Sequence, residues 1–445
     1  MTLVSTIAAL ATAPGAGAVA VIRLSGPEAG PILERVFQPL GGAWPPRRLR
    51  HGRLVHPSSG RFLDDVLAVW FPGPRSFTGE DSAEIHGHGG EAVSALALEA
   101  VLAAGAEPAQ PGEFTKRAFL NGRIDLAQAE AVADLVAARS AAEAALAVRQ
   151  LAGGLSARVE EIAVSILAVL AELEAAVDFS EETPPPDPAG LSDRLKREVR
   201  PRLAALLAAG QESRLFRQGL KVTLAGAPNV GKSSLFNALL GTGRALVSPR
   251  PGTTRDYITA EAVWSGLRVE LGDTAGLTDI PADELDGLGQ ARSREQLAEA
   301  DLVLWVRDCA APAAPGGPVA PPGRTLVVWN KADLAPPPPA SGSELAVSAR
   351  TGLNLPQLKA AVIRLATGRE NPEPPEVAPS LRHQAALRRT GEYLQAGLEA
   401  LDEGQPPDIC ALELRSALDS LGLIRGRTTA EDILNEVFSR FCLGK

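Results

Sequence analysis

The residues of this chain best placed to do chemistry begin where a short apolar run, Lys221 to Ala225, passes into Gly226-Ala227-Pro228-Asn229-Val230-Gly231-Lys232-Ser233. Glycines at that spacing, between a predicted strand and a predicted helix, let successive backbone amides point into one concavity. Such a concavity holds phosphate oxygens at the start of the helix. Asn229, Val230, Gly231, Ser233 and Ser234 line the cradle, and Lys232 supplies a point charge to the outer phosphates. The Ser233 hydroxyl is positioned for magnesium. An unremarkable glycine turn would explain this stretch alone, but not the motifs downstream of it.

Gly252-Thr253-Thr254-Arg255-Asp256 provides a threonine, Thr254, to close on magnesium when an outer phosphate is present. Asp273-Thr274-Ala275-Gly276 follows the predicted strand Arg268 to Gly272, putting a carboxylate near the metal and a flexible glycine near the outer phosphate. Asn330-Lys331-Ala332-Asp333 ends the apolar run Thr325 to Trp329. The Asp333 carboxylate can accept two hydrogen bonds from the amino and imino groups of guanine. Adenine would leave that acceptor unpaired. Ser348-Ala349-Arg350, after the predicted strand Glu344 to Val347, completes a base pocket. Five elements in this order imply GTP binding and hydrolysis. One familiar part is missing: Leu277 stands where Ras-type switches place soon after Asp-x-x-Gly a Gln that orients the attacking water. No arginine finger is signalled either, so another cation and another base are expected.

These motifs need elements to hold them. Residues 1 to 118 alternate short apolar runs with Gly, Pro and Ser breaks, as in Val19 to Ile22 and Val66 to Phe71, and predict a small α+β domain with a helix near 90 to 104. Residues 119 to 218 show apolar residues at helical spacing, including Val159, Ile162, Ile166, Leu170 and Leu173, interrupted by Pro184-Pro185-Pro186. Residues 219 to 372 repeat strand, loop and helix, and helical spacing returns over 373 to 445, where Thr428 and Glu431 predict a capping box for a last helix. The predicted fold is therefore multi-domain: an α+β amino-terminal domain, an α-helical central domain, and an α/β P-loop GTPase domain inserted into the helical one. Proline-rich stretches at Ala311 to Gly323 and Ala335 to Gly342 read as surface loops.

Composition bounds the partners. The chain has 445 residues and a formal net charge of -9, so any RNA contact must be local or shared with a basic partner. Cys309, Cys410 and Cys442 are too far apart for a zinc site or a disulfide framework, and a cytoplasmic location is expected. The uncharged first 22 residues are broken by Pro14-Gly15-Ala16-Gly17, which predicts two strands about a turn rather than a membrane segment.

Beyond the nucleotide motifs, the chain resembles the tRNA-modification GTPases of the MnmE (TrmE) family. The resemblance runs through Ser5-Thr6-Ile7, Val21 to Gly26, Ser76-Phe77-Thr78-Gly79-Glu80-Asp81, Glu84 to Gly90, Pro111 to Thr115, Asp125 to Glu130 and the closing Phe441-Cys442-Leu443-Gly444-Lys445. It implies an amino-terminal domain that dimerises and binds a tetrahydrofolate derivative (the 5-formyl or 5,10-methylene form). It further implies a flavin (FAD) partner of the MnmG (GidA) type, with which tRNA is modified at carbon 5 of the wobble uridine. By resemblance, Arg23, Glu84, Arg123 and Lys445 fall at folate-site positions; the family usually has Lys where Arg123 stands. Potassium would replace an arginine finger, held by Asn229 and by the loop containing Ser248, Arg250 and Thr253. Asp286, with Glu284 as the alternative, falls where the family orients water.

Several of these residues also have plainer readings. Arg23 could be a surface arginine, and Glu84, His86 and His88 alternate as a strand would, inviting a metal reading without a further ligand. Cys442 is a candidate nucleophile toward uracil carbon 6, or a near-terminal buried thiol without a reactive role. A ribosome-assembly GTPase is the rival function, but it would carry a basic RNA-binding domain beyond the nucleotide unit. A scaffold that only switches on GTP is the other.

Overall fold

A computed structural model describes residues 5–42, 44–178, 186–241, 258–273, 298–311, 322–337, 344–439, 441–442 and 444–445. The chain divides into two compact units. One comprises residues 1–137, 147–207 and 381–445; the other comprises residues 138–146 and 208–380.

The first unit opens with a seven-stranded sheet in the order β3-β4-β5-β6-β2-β1-β7. Its strands are β1 (Ile7–Leu10), β2 (Val19–Ser25), β3 (Phe37–Pro39), β4 (Arg50–Val55), β5 (Phe62–Phe71), β6 (Ser82–His88) and β7 (Glu107–Pro108). β2 and β6 pair antiparallel with Arg23 opposite Glu84 and Val21 opposite His86. Strand alternation sends Ile22, Leu24, Ala83 and Ile85 to the opposite face. There they form a core with Ile32 and Leu33 of α1 (Ala29–Val36) and Val101 of α2 (Glu91–Ala103). The other face is covered in part by Phe114 of α3 (Glu113–Leu120), which packs on Ile7 and Ala9.

Helices complete this unit: α4 (Leu126–Ala137), α5 (Ala141–Leu151, which begins in the second unit), α6 (Gly154–Asp178), α7 (Pro188–Glu198), α8 (Arg200–Glu212, which also runs into the second unit), and, after the second unit, α12 (Leu381–Asp402), α13 (Pro407–Arg425) and α14 (Glu431–Ser439). Their apolar stripes at helical spacing bury Val159, Ile162 and Ile166 on α6 and Leu414 and Leu421 on α13. The last helix returns to α3 and α4, where Phe438 and Phe441 join Leu126 and Ala129. The Glu431 side chain of the predicted capping box lies outside the described residues. Thr428 packs on Gly422 and its hydroxyl donates to the Asp419 carbonyl at 2.9 Å, because the glycine leaves room on α13 for that side chain.

In the second unit a six-stranded sheet runs β13-β12-β11-β8-β10-β9. Its strands are β8 (Leu220–Gly226), β9 (Ile258–Trp264), β10 (Leu267–Asp273), β11 (Leu302–Asp308), β12 (Thr325–Asn330) and β13 (Glu344–Ala346). All neighbours are parallel except β9, which pairs antiparallel with β10. The helices here include α9 (Arg214–Gln218), α10 (Lys232–Leu240) and α11 (Leu355–Thr367). The inner strands bury apolar side chains under covering helices, with Leu224, Val269, Leu304 and Val328 packed among Leu235, Leu239, Leu358 and Val362. Among the described residues no helix is long and apolar enough to cross a membrane.

Candidate functional site

Strand order reverses at β8, with β10 on one side and β11 on the other, and crevices at such a reversal are where open α/β sheets take ligands. The loop leaving β8 lies at that point. Gly226 has φ 148°, and a Cβ there would strike the Val306 carbonyl of β11, so only glycine lets the loop turn this close to the sheet. Asn229 (φ 63°) and Gly231 (φ 90°) are left-handed as well, and Gly231 caps α10. Ser233 and Ser234 stand exposed in the first turn of that helix. Lys232 is buried, its Nζ donating to the carbonyls of Gly226 and Ala227 at 3.1 and 3.0 Å. Burial pushes its pKa down, and the charge of Asp273 opposes that. Arranged this way, an ammonium folded over a glycine loop beside a helix N-terminus is a phosphate cradle.

The base-reading motif is tied directly to that loop. Asn330, 2% exposed, donates from Nδ2 to the Val230 carbonyl at 3.0 Å, and its Oδ1 accepts the Ala349 N–H at 3.1 Å. One side chain thus joins three loops. A Cβ at Gly231 would meet Asn330 Nδ2 at 2.5 Å, a second reason for glycine in the cradle. Lys331, at φ 64°, donates to the Asn229 carbonyl at 2.8 Å and to Asp308 Oδ2 at 2.6 Å. Buried Ser348 donates to Asp333 Oδ1 at 2.6 Å, which leaves the exposed Asp333 carboxylate oriented outward. Arg350 is exposed beside it.

Asp308 was not among the residues singled out from sequence. It ends an apolar strand as Asp273 ends β10, and a lone carboxylate at that position of a parallel sheet was the available signal. Burial raises its carboxyl pKa, but the hydrogen bonds from Lys331 and the Ala310 N–H, with the Lys331 charge, hold it below the usual carboxylate range. Ser248, Arg250, Thr253, Thr254, Thr274, Ala275, Gly276, Glu284 and Asp286 lie outside the described residues.

A second constellation occupies the first unit. Arg23 Nε donates to Glu84 Oε1 at 3.0 Å, and its guanidinium lies 5.9 Å from the centre of the Phe114 ring. The far oxygen of Glu84 meets His86 Nε2 at 3.1 Å, while His88 is taken by Asp64 at 2.6 Å. Among the described residues no group of three or more His, Cys, Asp and Glu could hold a metal ion. Arg123 closes the turn after α3, where the loop glycine Gly79 packs on its side chain. That loop is anchored by fully buried Arg117, which donates to Glu80, Glu113 and the Ser5 carbonyl. The chain's end arrives at the same strands. Gly444 (φ 85°) sits so close to the Leu10 carbonyl and Ala11 that a Cβ would clash, bringing Lys445 beside β1, whose Ala9 is paired with Arg23. Cys442 is exposed, not buried, between Phe441 and Gly444. Arg23 and Glu84 thus stand as a partly exposed ion pair.

Strand order, glycine loop and the Asn330–Asp333 motif place the second unit among the P-loop GTP-binding folds. Comparison with known proteins extends this to the whole chain. A family model described as the MnmE helical domain matches residues 126–442, and one described as the GTP-binding protein TrmE N-terminus matches residues 6–123. The chain is 42% identical to the tRNA modification GTPase MnmE of Roseiflexus sp. (strain RS-1), over 99% of each chain. It is 44% identical to the protein of that name from Synechococcus sp. (strain RCC307), over 99% of this chain and 98% of that one. A solved structure of the G domain of the T. maritima FeoB iron transporter matches 33% of this chain at 27% identity and a TM-score of 0.25. The chain belongs to the MnmE (TrmE) family.

Proposed function

We propose that this protein hydrolyses GTP and couples that hydrolysis to the modification of tRNA. The observation that carries the GTP half is the Asn330 side chain, which ties the glycine loop to the two base-reading segments. The tRNA half rests on full-length likeness to relatives of that name. Guanine would be read by Asp333, and magnesium would be held near Ser233 and Asp273, with Thr254 completing its set. Potassium held at Asn229 would offset the charge that develops on the outer phosphates. Asp286 or Glu284 would orient water. We further read the target as carbon 5 of the wobble uridine, modified by a homodimer acting with a flavin-dependent partner of the MnmG type. A tetrahydrofolate derivative held by Arg23, Glu84, Arg123 and Lys445 would supply the one-carbon unit, and exposed Cys442 is the candidate thiol beside it.

Deleting the gene should remove the modified wobble uridine from hydrolysed cellular tRNA, and the wild-type gene should restore it. Arg23→Ala should fail to restore it, and that purified variant should give no calorimetric binding of 5-formyltetrahydrofolate while still binding GTP. Unaltered nucleoside content in the deletion strain would return the protein to ribosome assembly or scaffolding. The potassium reading predicts faster GTP hydrolysis in potassium than in sodium at equal ionic strength. Equal rates in the two salts would remove the cation from the mechanism.

A further inference from the structure

The β4–β5 hairpin carries positive charge that its surroundings do not balance. Between residues 44 and 75 stand Arg47, Arg48, Arg50, Arg53, Arg61 and Arg75, against only Asp64 and Asp65 as acidic residues. Asp64 is buried and engaged by His88, and Asp65 meets His51 at 2.9 Å. Among the described residues none of these six arginines stands in an ion pair. Elsewhere in the same sheet domain Arg23 pairs with Glu84, Arg35 with Glu28, and Arg117 with Glu80 and Glu113. The helices of the unit repeat that habit, with Arg194 on Glu172 and Arg415 on Glu174.

Neutral groups position three of them instead. Arg47 donates to the carbonyls of Arg75 and Pro72, Arg50 donates to that of Gly42, and Arg53 lies 5.9 Å from the centre of the Phe62 ring. Such contacts fix guanidinium groups without cancelling their charge. Arg47, Arg48, Arg53, Arg61 and Arg75 are exposed, and Phe62 is 55% exposed among them. From Arg50 to Val55 the strand spans roughly 17 Å at about 3.4 Å per residue, room for two or three phosphates.

We propose that this hairpin is a contact surface for the sugar–phosphate backbone of tRNA, an inference that rests on the reading of tRNA as substrate. It answers how a chain of net charge -9 could hold a polyanion: the basic surface is local. A protein partner is the poorer fit, since protein interfaces have a core depleted of charge, whereas here the exposed apolar residues Leu49, Phe62 and Leu67 are interspersed with arginines. A ring between arginines suits an unstacked base.

The test is the full-length triple variant Arg48→Ala, Arg61→Ala, Arg75→Ala, titrated with unmodified tRNA over a range of salt concentrations. Affinity near 0.1 M salt should fall by at least about tenfold, and the slope of log K against log salt should shrink by about 2 to 3. GTP hydrolysis should not change, and the Lys triple variant should keep the wild-type slope. Wild-type affinity and slope in the Ala variant would overturn the proposal, and so would a lost affinity with an unchanged slope. A wild-type chain that binds no tRNA overturns this surface too, whereas the functional reading stands or falls by the nucleoside content of the deletion strain.

Discussion

Replacing Asp333 with Asn should cost roughly 10²- to 10⁴-fold in GTP affinity, the loss expected for two charge-assisted hydrogen bonds. The direction is set by how the side chain is held. Ser348 Oγ accepts the Thr351 N–H at 3.1 Å and gives its own hydrogen to Asp333 Oδ1 at 2.6 Å. In the variant that bond selects the carbonyl oxygen of the Asn amide, so the new NH₂ group must face the base. Guanine presents N–H groups there, and donor would meet donor. Xanthine carries a carbonyl at carbon 2 in place of the amino group, so xanthosine triphosphate should bind where GTP no longer does. Competition titrations with a fluorescent nucleotide would read both effects. GTP affinity within about tenfold of wild type, with no gain for the xanthine nucleotide, would mean that Asp333 does not read the base.

That motif was legible because its parts are local. A glycine loop after an apolar strand, and an Asn-Lys-x-Asp run at the end of another, each report their backbone context within about ten residues. Strand alternation likewise puts Glu84 and His86 on one face from the sequence alone, and their 3.1 Å contact is its consequence. Hidden from the sequence is whatever long-range packing decides. Thr428 and Glu431 have capping-box spacing, but that spacing does not show the Asp419 carbonyl that the threonine reaches over a glycine on α13. Residues 138–146 read as one more helical stretch, yet they cluster with the nucleotide unit, where Leu146 joins its core. Asp308 and Lys331 are 23 positions apart, and only the parallel pairing of β11 with β12 makes them partners. Arg117 carries no motif of its own, and its burial depends on an acceptor 112 positions away.

The largest stability effect is expected at Glu130, whose partners Arg382 and His383 stand where the chain re-enters the first unit. Its carboxylate accepts Arg382 Nε at 2.6 Å across 252 positions and lies 2.7 Å from Nε2 of the fully buried His383. Arg382 also donates to the carbonyls of Leu423 and Ile424 at the end of α13, so one cluster joins α4, α12 and α13. Burial by itself would raise the Glu130 pKa; the His383 charge and the hydrogen bonds from His383 and Arg382 override it and hold the group at about 2. A carboxyl depressed in the folded state stabilises the fold above its unfolded pKa, and that contribution drains away as the pH falls from about 4 toward 2. Its size at neutral pH is roughly 3 kcal/mol. Glu130→Gln leaves the Arg382 guanidinium and His383 without their counter-charge, a loss of about 3–5 kcal/mol. Denaturant unfolding of the full chain, followed by far-ultraviolet circular dichroism, should therefore show the helical transition at a lower midpoint in the variant at pH 7. The two proteins should converge as the pH approaches 2, because protonation performs the same substitution on the wild type. Equal midpoints at pH 7 would show that the cluster contributes no net stability. Replacing Glu130, Arg382 and His383 together by apolar residues should then cost less than removing the carboxylate alone, since the buried charges leave with their partner.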